Sequence, residues 1–333
     1  MSDPSTTELR VAFWNTWLLA PRFWPGGPRV PGLAGKVAPE VDRRAPLVAD
    51  AVAGRFDVVA LAEVWDPAEQ RAISDRWPEA AAVGGVEGRA VRTGSGLLTL
   101  VGPGVDLVRS ARHRYRSSGD LRDADHLARK GALLTVVGLG PDLPPVEIVS
   151  THLFAGGDLL PRAGHDDHDR HHLVRMEQVD ELIGFVEREH DPASPLLVVG
   201  DVNVAAWDRD ADAHTAAYRD LADHLGRAGL VDLWATHGIG QGPTASFGPD
   251  DDLPPDPEEP DRVADLIDDP EPSGGDRIDH LWLSVPDGVA VEVERPRRWA
   301  FAGRGVTGGP AGSLSDHLAV STTLRFGPSA DES

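Results

Sequence analysis

Asp201 and Asn203 stand two residues apart at the end of an apolar run, Leu196 to Val199, with Gly200 and Val202 between and around them. A short apolar run that ends at a glycine reads as a buried strand followed by a sharp bend. On an extended backbone, side chains at i and i+2 share a face, so a carboxylate and a carboxamide would leave the strand end together. The carboxylate binds positive charge and the amide both donates and accepts hydrogen bonds, a pairing suited to a hard cation or a phosphate. An Asx turn closing the strand is the simpler alternative for the same pair. Other polar residues fall at or near the ends of apolar runs: Asn15, Glu63, His152, Asp279, Asp316 and His317. Strand ends are where sites are usually built. Carboxylates, amides and imidazoles in a chain without cysteine favour an oxygen-loving cation, Mg²⁺ or Mn²⁺. Such an ion keeps waters and leaves room for phosphate oxygens, which points to metal-assisted hydrolysis at phosphorus.

The runs that must position these residues follow one another along the chain. Leu9 to Trp14 predicts a first buried strand ending at Asn15, and residues 57–61 a second that delivers Glu63. Further strands are predicted over Ser95 to Leu100, Val105 to Arg109, Ala132 to Val137 (opened by Lys130-Gly131), Val146 to Ser150 and Leu196 to Val199. Arg277 to Leu283 continues the series, with Val289 to Glu294 expected to pair with it as a hairpin through Asp287-Gly288, and Leu318 to Leu324 closes it. Helical spacing covers Arg43 to Ala53, Pro67 to Trp77, His171 to Glu189 and Ala211 to Ala228. Asp66 is the expected N-cap of the second helix, with Pro67 at its first position. Strands outnumber helices, with helices in between, which predicts a layered α/β sandwich. No repeat and no composition shift divides the ordered part, so residues 1–333 read as one domain. Residues 248–276, a run of Asp, Glu and Pro, read as a solvated, flexible insertion.

Composition narrows the function classes. The formal net charge is −22, with 54 acidic against 32 basic residues and lysine only at positions 36 and 130. A long polyanion such as DNA is repelled unless a local basic groove overrides that field. Arg109, Arg112, Arg114, Arg116 and Arg122 form one basic stretch, readable as a phosphate contact or as a solvated strand. The absence of cysteine excludes disulfides, thiolate metal sites and cysteine nucleophiles and fits a cytoplasmic protein. Neither a secretory leader nor a run long enough to span a bilayer is visible. Trp17, Phe23 and Trp24 sit on the Pro/Gly-rich stretch 16–39, where they serve either a transient membrane contact or burial against the body. His165, His168, His171 and His172, among Asp166, Asp167 and Asp169, offer a zinc or nickel tract, against the plainer reading of a solvated loop entering a helix.

Six stretches in order resemble the endonuclease/exonuclease/phosphatase superfamily of metal-dependent phosphohydrolases. They are Trp14-Asn15, Leu61-Ala62-Glu63-Val64-Trp65, Thr151-His152-Leu153, Gly200-Asp201-Val202-Asn203, Arg277-Ile278-Asp279 and Ser315-Asp316-His317, spread over nearly the whole chain. The resemblance implies a four-layer α/β/β/α sandwich of two central, mostly antiparallel sheets flanked by helices. Within the superfamily the chain is similar to the neutral sphingomyelinase branch in Glu63-Val64-Trp65, in Asp125 to Gly131 with Lys130, and in Arg175 and Gln178. It departs at Ala62, where glutamine is usual, and at His280, where tyrosine is common. Chemistry and resemblance together assign Glu63 as the main Mg²⁺ carboxylate, helped by Asn15 and Asp316. Asp201 and Asn203 would position or deprotonate the attacking water. His317 would be general base or phosphate contact, with Asp279 holding its tautomer. His152 and Lys130 would stabilise the charged pentacoordinate state, and Asp125 would pair with Lys130. The expected substrate is a phosphodiester, a phospholipid headgroup or a small molecule, with no stable protein partner. A nuclease of the same fold, disfavoured by net charge, and an inactive binding protein on this scaffold are the alternatives.

Overall fold

A computed structural model describes residues 7–20, 22–24, 27–28, 38–88, 94–119, 128–156, 168–247, 263–265, 274–301, 303, 306 and 313–327. The first half runs β1 (Thr7–Leu18), α1 (Val41–Val52), β2 (Val58–Val64), α2 (Pro67–Arg76), β3 (Ala81–Gly84), β4 (Leu98–Val101), β5 (Asp106–Arg114), β6 (Gly131–Gly138) and β7 (Val146–His152). Then follow α3 (His168–Glu189), β8 (Leu196–Asp201), β9 (Trp207–Asp208), β10 (Ala213–His214), α4 (Ala216–Arg227), β11 (Val231–Asp232) and α5 (Leu233–His237). The last strands are β12 (Val263–Asp265), β13 (Asp279–Ser284), β14 (Val291–Val293), β15 (Arg297–Phe301) and β16 (Ala319–Phe326).

Among the described residues these strands make two large sheets. One has the order β12-β15-β16-β1-β2-β4-β3, with β14 also on β16; the other has the order β11-β13-β8-β7-β6-β5. Only β1 with β2 and β7 with β8 run parallel; the other named pairs in the two sheets are antiparallel. Phe13, Val58, Ala60 and Leu324 of the first sheet interlock with Leu133, Ile148, Val199 and Leu281 of the second. The outer face of the first sheet is covered by α1 through Val41, Ala45, Val48 and Val52. The outer face of the second is covered by α3 and α4 through Val179, Phe185, Leu221 and Leu225. These are the four layers α/β/β/α that the resemblance implies. β7 and β8 are buried on both faces; β8 reads as a continuous apolar run up to Gly200, as internal parallel strands do, whereas β7 buries Glu147, Ser150, Thr151 and His152 as well.

Local signals hold where they are chemical. Asp66 Oδ1 accepts the Ala68 N–H at 2.9 Å, with Pro67 at the first helical position. Three expectations are corrected. Residues 289–294 do not form a hairpin with 277–283: β14 crosses to pair with β16, because β13 already has β8 on one edge and β11 on the other. The helix expected from Ala211 starts at Ala216, since β9 and β10 form a short hairpin first and Thr215 caps the helix by accepting the Tyr218 N–H. The strand through Asp201 is extended only that far: Asn203 lies at φ 51°, and its N–H donates to Asp201 Oδ1 at 3.0 Å. This is the Asx turn, so a shared strand face is not what brings Asn203 to the site.

Candidate active site

Strand ends from both sheets deliver the polar set to one place. β1 supplies Asn15, β2 Glu63, β7 His152, β8 Asp201 and β13 Asp279; the turn before β16 supplies Asp316 and His317. Register does much of the aiming. Asp279 is paired directly with Asp201 across β13 and β8, and Asp201 with His152 across β8 and β7.

Asn15, fully buried, bridges the two sheets: its Nδ2 donates to Glu63 Oε1 at 3.2 Å and to Asp201 Oδ2 at 2.9 Å. Its Oδ1 accepts the Trp17 N–H at 3.1 Å. His317 Nδ1 meets Asp279 Oδ2 at 2.9 Å, while its Nε2 lies 3.9 Å from Asp201 Oδ2. Lys130, buried at 4% exposure, donates from Nζ to Leu153 O at 2.6 Å and to His152 Nε2 at 3.0 Å. An ammonium group has only donors, so His152 Nε2 must be the acceptor and Nδ1 carries the proton. That Nδ1 is buried and has no hydrogen-bond partner among the described residues. Asn203 Nδ2 donates to Leu153 O at 3.1 Å, tying the turn after β8 to the turn after β7.

Several site groups sit outside the ordinary backbone and protonation ranges. Glu63 lies at φ 60°, Trp17 at φ 48° and Asn203 at φ 51°, the left-handed region that side chains seldom adopt outside constrained sites. Burial pushes the Glu63 carboxyl upward, and the neighbouring Asp316 adds to it. Burial also raises Asp201, reinforced by Asp279, and raises Asp316. Burial, Lys130 and His317 hold His152 well below the usual imidazole range, so it is neutral. His317 moves the other way: burial opposes its charge, but Asp279, Asp201 and Asp316 outweigh it and raise it well above that range.

This crowd of buried carboxylates fits a cation. Asp316 lies close enough to Glu63 to raise its carboxyl, a repulsion that a cation held by the two would relieve. Asp201, Asp279 and His317 gather within 4.8 Å of one another in the same crowd, and Asp279 Oδ1 is buried without a partner among the described residues. Oxygen donors dominate, as a hard divalent ion requires.

Of the predicted site residues, Asp125 lies outside the described residues, as do His165 and most of 248–276. Of the histidine tract, His172 Nε2 pairs with Asp220 on α4 at 3.0 Å, and His171 packs edge-on against Phe154. Arg109, on the edge strand β5, pairs with Glu147 and Glu189, with β6 and β7 lying between it and β8. Arg112 donates to Gly84 O. Ala62 faces the inter-sheet core, and Phe23 and Trp24 are 52% and 56% exposed. Gln178, part of the sphingomyelinase-branch pattern, accepts the Phe154 N–H and donates to Ser117 O, joining two loops beside the site.

Sequence reasoning gave no role to residues that work through the backbone, Ser315 of the Ser315-Asp316-His317 stretch included. Ser315 Oγ donates to Asn15 O at 2.6 Å and accepts the His317 N–H at 3.2 Å. Thr244 Oγ1 accepts the N–H groups of Ile278 and Asp279, each at 3.2 Å. No pattern of residue type marks Thr244. His280, noted only as a departure, anchors a buried network: Arg277 Nη1 donates to Asp232 Oδ2 at 2.8 Å and to His280 Nδ1 at 3.0 Å, and His280 Nε2 donates to Val204 O at 3.2 Å.

No protein-family model and no curated protein matches the sequence. Solved structures do match. A beta toxin mutant from Staphylococcus aureus with bound magnesium ions superposes with a TM-score of 0.58 at 16% identity, over 95% of this chain and 99% of that one. An endonuclease/exonuclease/phosphatase family protein from Bacteroides thetaiotaomicron gives 0.58 at 15% identity, over 97% of both chains. TDP2 from D. rerio, complexed with single-strand DNA product, gives 0.57 at 16% identity, over 95% and 98%. The chain therefore has the endonuclease/exonuclease/phosphatase fold.

Proposed function

We propose that the chain is a Mg²⁺-dependent phosphodiester hydrolase of the sphingomyelinase type, cleaving a phospholipid headgroup or a related small phosphodiester. The observation that carries this reading is the convergence of Asp201, Asp279 and His317 within 4.8 Å, beside Glu63 and Asn15, from strands of both sheets. The sphingomyelinase-type motif with Lys130 narrows the class, since Lys130 is buried against His152. The magnesium-bound toxin of the same fold supports the choice of ion.

Glu63 and Asp316 would hold Mg²⁺, with Mn²⁺ as substitute. Bound there, the ion supplies Lewis-acid polarisation of a phosphoryl oxygen. Asn15 presents N–H groups, not its oxygen, to Glu63 and Asp201, so its share is to orient both carboxylates. Asp201, raised by burial, is the better base for the attacking water, because a higher carboxyl pKa takes up a proton more readily. His317, held as imidazolium by the surrounding carboxylates, donates to the phosphate while Asp279 fixes its ring. His152 and the Lys130 ammonium beside it would stabilise the charge that builds on the equatorial oxygens. Asp125 is assigned as the partner that tunes Lys130.

The test is a substrate panel. Sphingomyelin and phosphatidylcholine vesicles, a small aryl phosphodiester and single-strand DNA are incubated with Mg²⁺ and with chelator. Turnover of a choline phosphodiester that chelator abolishes is expected, with Glu63→Gln and Asp201→Asn each at least about 10²-fold slower. No turnover on any of them with metal present would end the enzymatic reading.

A nuclease is the second reading. The likeness to TDP2 favours it, as does an open cleft of about 500 Å³ lined by Arg112, Arg129 and Glu87. A rate on DNA that falls steeply between about 50 and 200 mM salt would select it.

A further inference from the structure

Arg44 is a charged residue on an apolar stripe. It falls in step with Val41, Ala45, Val48, Ala49 and Val52 on the face of α1 that covers the first sheet, and it is 0% exposed. A guanidinium buried this way is costly unless its donors are met and its charge compensated. Its donors are met by main-chain carbonyls. Nε donates to Pro39 O at 2.8 Å, Nη1 to Thr16 O at 3.0 Å and Leu314 O at 2.6 Å, and Nη2 to Trp17 O at 2.7 Å. The group also lies over the Trp17 ring, 5.6 Å from its centroid.

The acceptors are not scattered. Thr16 and Trp17 directly follow Asn15, and Leu314 directly precedes Ser315, Asp316 and His317. The β1–β2 ladder shifts register between Asn15 and Leu18, and Trp17 is forced to φ 48° there. Carbonyls in that interval need another donor, and Arg44 supplies it. The same side chain therefore grips two of the backbone segments that build the proposed metal centre, those of Asn15 and Asp316, beside the β2 strand that carries Glu63. Ser315 Oγ to Asn15 O, and Trp14 Nε1 to His317 O at 3.1 Å, join the same two segments at other points. Burial pushes Arg44 down to about 10, against the pull of Asp316 and Glu63, so it stays cationic at neutral pH. Those two carboxylates are the ones assigned to the ion.

We propose that Arg44 is a positioning residue for the metal centre: it locks the backbone on either side of Asn15 and Asp316 and stands a permanent charge behind the site's carboxylates. This rests on the Mg²⁺ reading above. The fork that reaches four carbonyls is a property of arginine; lysine keeps the charge but not the geometry.

The experiment is titration calorimetry of Mg²⁺ into the full chain, alongside circular dichroism and steady-state kinetics. The proteins are wild type, Arg44→Lys, Arg44→Met and Val48→Ala. Val48 lies one turn along the same buried stripe and has no side-chain polar atom, so its truncation reports loss of stability alone. Expected are a Mg²⁺ Kd raised at least about tenfold in Arg44→Met, partial recovery in Arg44→Lys, and an unchanged Kd in Val48→Ala despite a lowered melting point. The kcat should fall more than KM rises in both arginine variants. Should Arg44→Met fail to fold, Arg44→Lys alone decides. A folded arginine variant that binds Mg²⁺ within twofold of wild type overturns the positioning role. Absence of Mg²⁺ binding by wild type overturns the metal reading first, and Arg44's role with it.

Discussion

His152 and His317 show how two identical side chains are set to different tasks. Lys130 occupies His152 Nε2 and burial keeps that ring neutral, so its remaining proton is on Nδ1. His317 instead faces three carboxylates and is charged, with Nδ1 fixed on Asp279. Asp279→Asn replaces that carboxylate by a neutral amide, which removes charge from the pair and frees the ring to turn. A loss of about 10²–10³ in kcat is expected, with Mg²⁺ affinity within a few-fold, since related losses of oriented groups have this size. Steady-state kinetics on the substrate found by the panel checks it, and a loss under fivefold would remove the pair from the mechanism. Residues such as these were legible in the sequence because each interrupts or ends an apolar run. Thr244 was not, and Ser315 was legible only as part of its motif, without a role, because their partners are backbone atoms of distant segments, and a hydroxyl in a loop carries no periodic signal. Arg44 left a sign that went unused, a cation in phase with the buried positions of its helix.

Strands were legible as elements but not as neighbours. Apolar segments located β1, β2, β6, β7 and β8 to within a few residues, since the central part of each is buried on both faces. Pairing depends on which edges remain open, and that is decided by the whole sheet; hence the misplaced hairpin of β14. Gly200 shows the same dependence at one position. In sequence it marks a bend, yet its place in β8 is set by β7: a Cβ there would lie 2.4 Å from Thr151 O and 2.7 Å from Thr151 Cγ2. A backbone oxygen cannot rotate away, so Gly200→Ala must push β7 from β8 and carry His152 away from Asp201. A stability loss of about 1–3 kcal/mol is expected, the usual scale of overpacking. Activity should fall even where the protein is fully folded. Urea unfolding with parallel kinetics tests this, and wild-type values for both would show that the strands absorb the methyl group.

At the scale of the molecule, stability and charge meet in the buried histidines. Burial, and then the charge of Arg277, hold His280 below its ordinary 6.5, so the folded chain refuses a proton that the unfolded chain accepts. His152 behaves alike. Their contribution is therefore complete above about pH 6.5 and is lost as pH falls below it. Burial pushes Asp232 up, but the adjacent His280 ring, the charge of Arg277 and the Tyr218 hydroxyl outweigh it and take the carboxyl well below 3.8, so its contribution is lost only in a second, more acid window. His317 has the opposite sign: its contribution is complete below 6.5 and is lost as pH rises through its elevated folded value. A chain of formal charge −22 also repels itself, and protonation relieves that repulsion as pH drops. That relief is shared by any single-site variant, so a difference between two proteins cancels it. His280→Gln retains an N–H that can serve Val204 O and cannot titrate. Relative to wild type, it should show a shallower loss of unfolding free energy from pH 6.5 to 5, the slope differing by at most about 1.4 kcal/mol per pH unit for one proton. Urea titrations at half-unit steps measure both slopes. Equal slopes would mean that His280 is already charged in the fold, and that Arg277 and Asp232 are paired some other way.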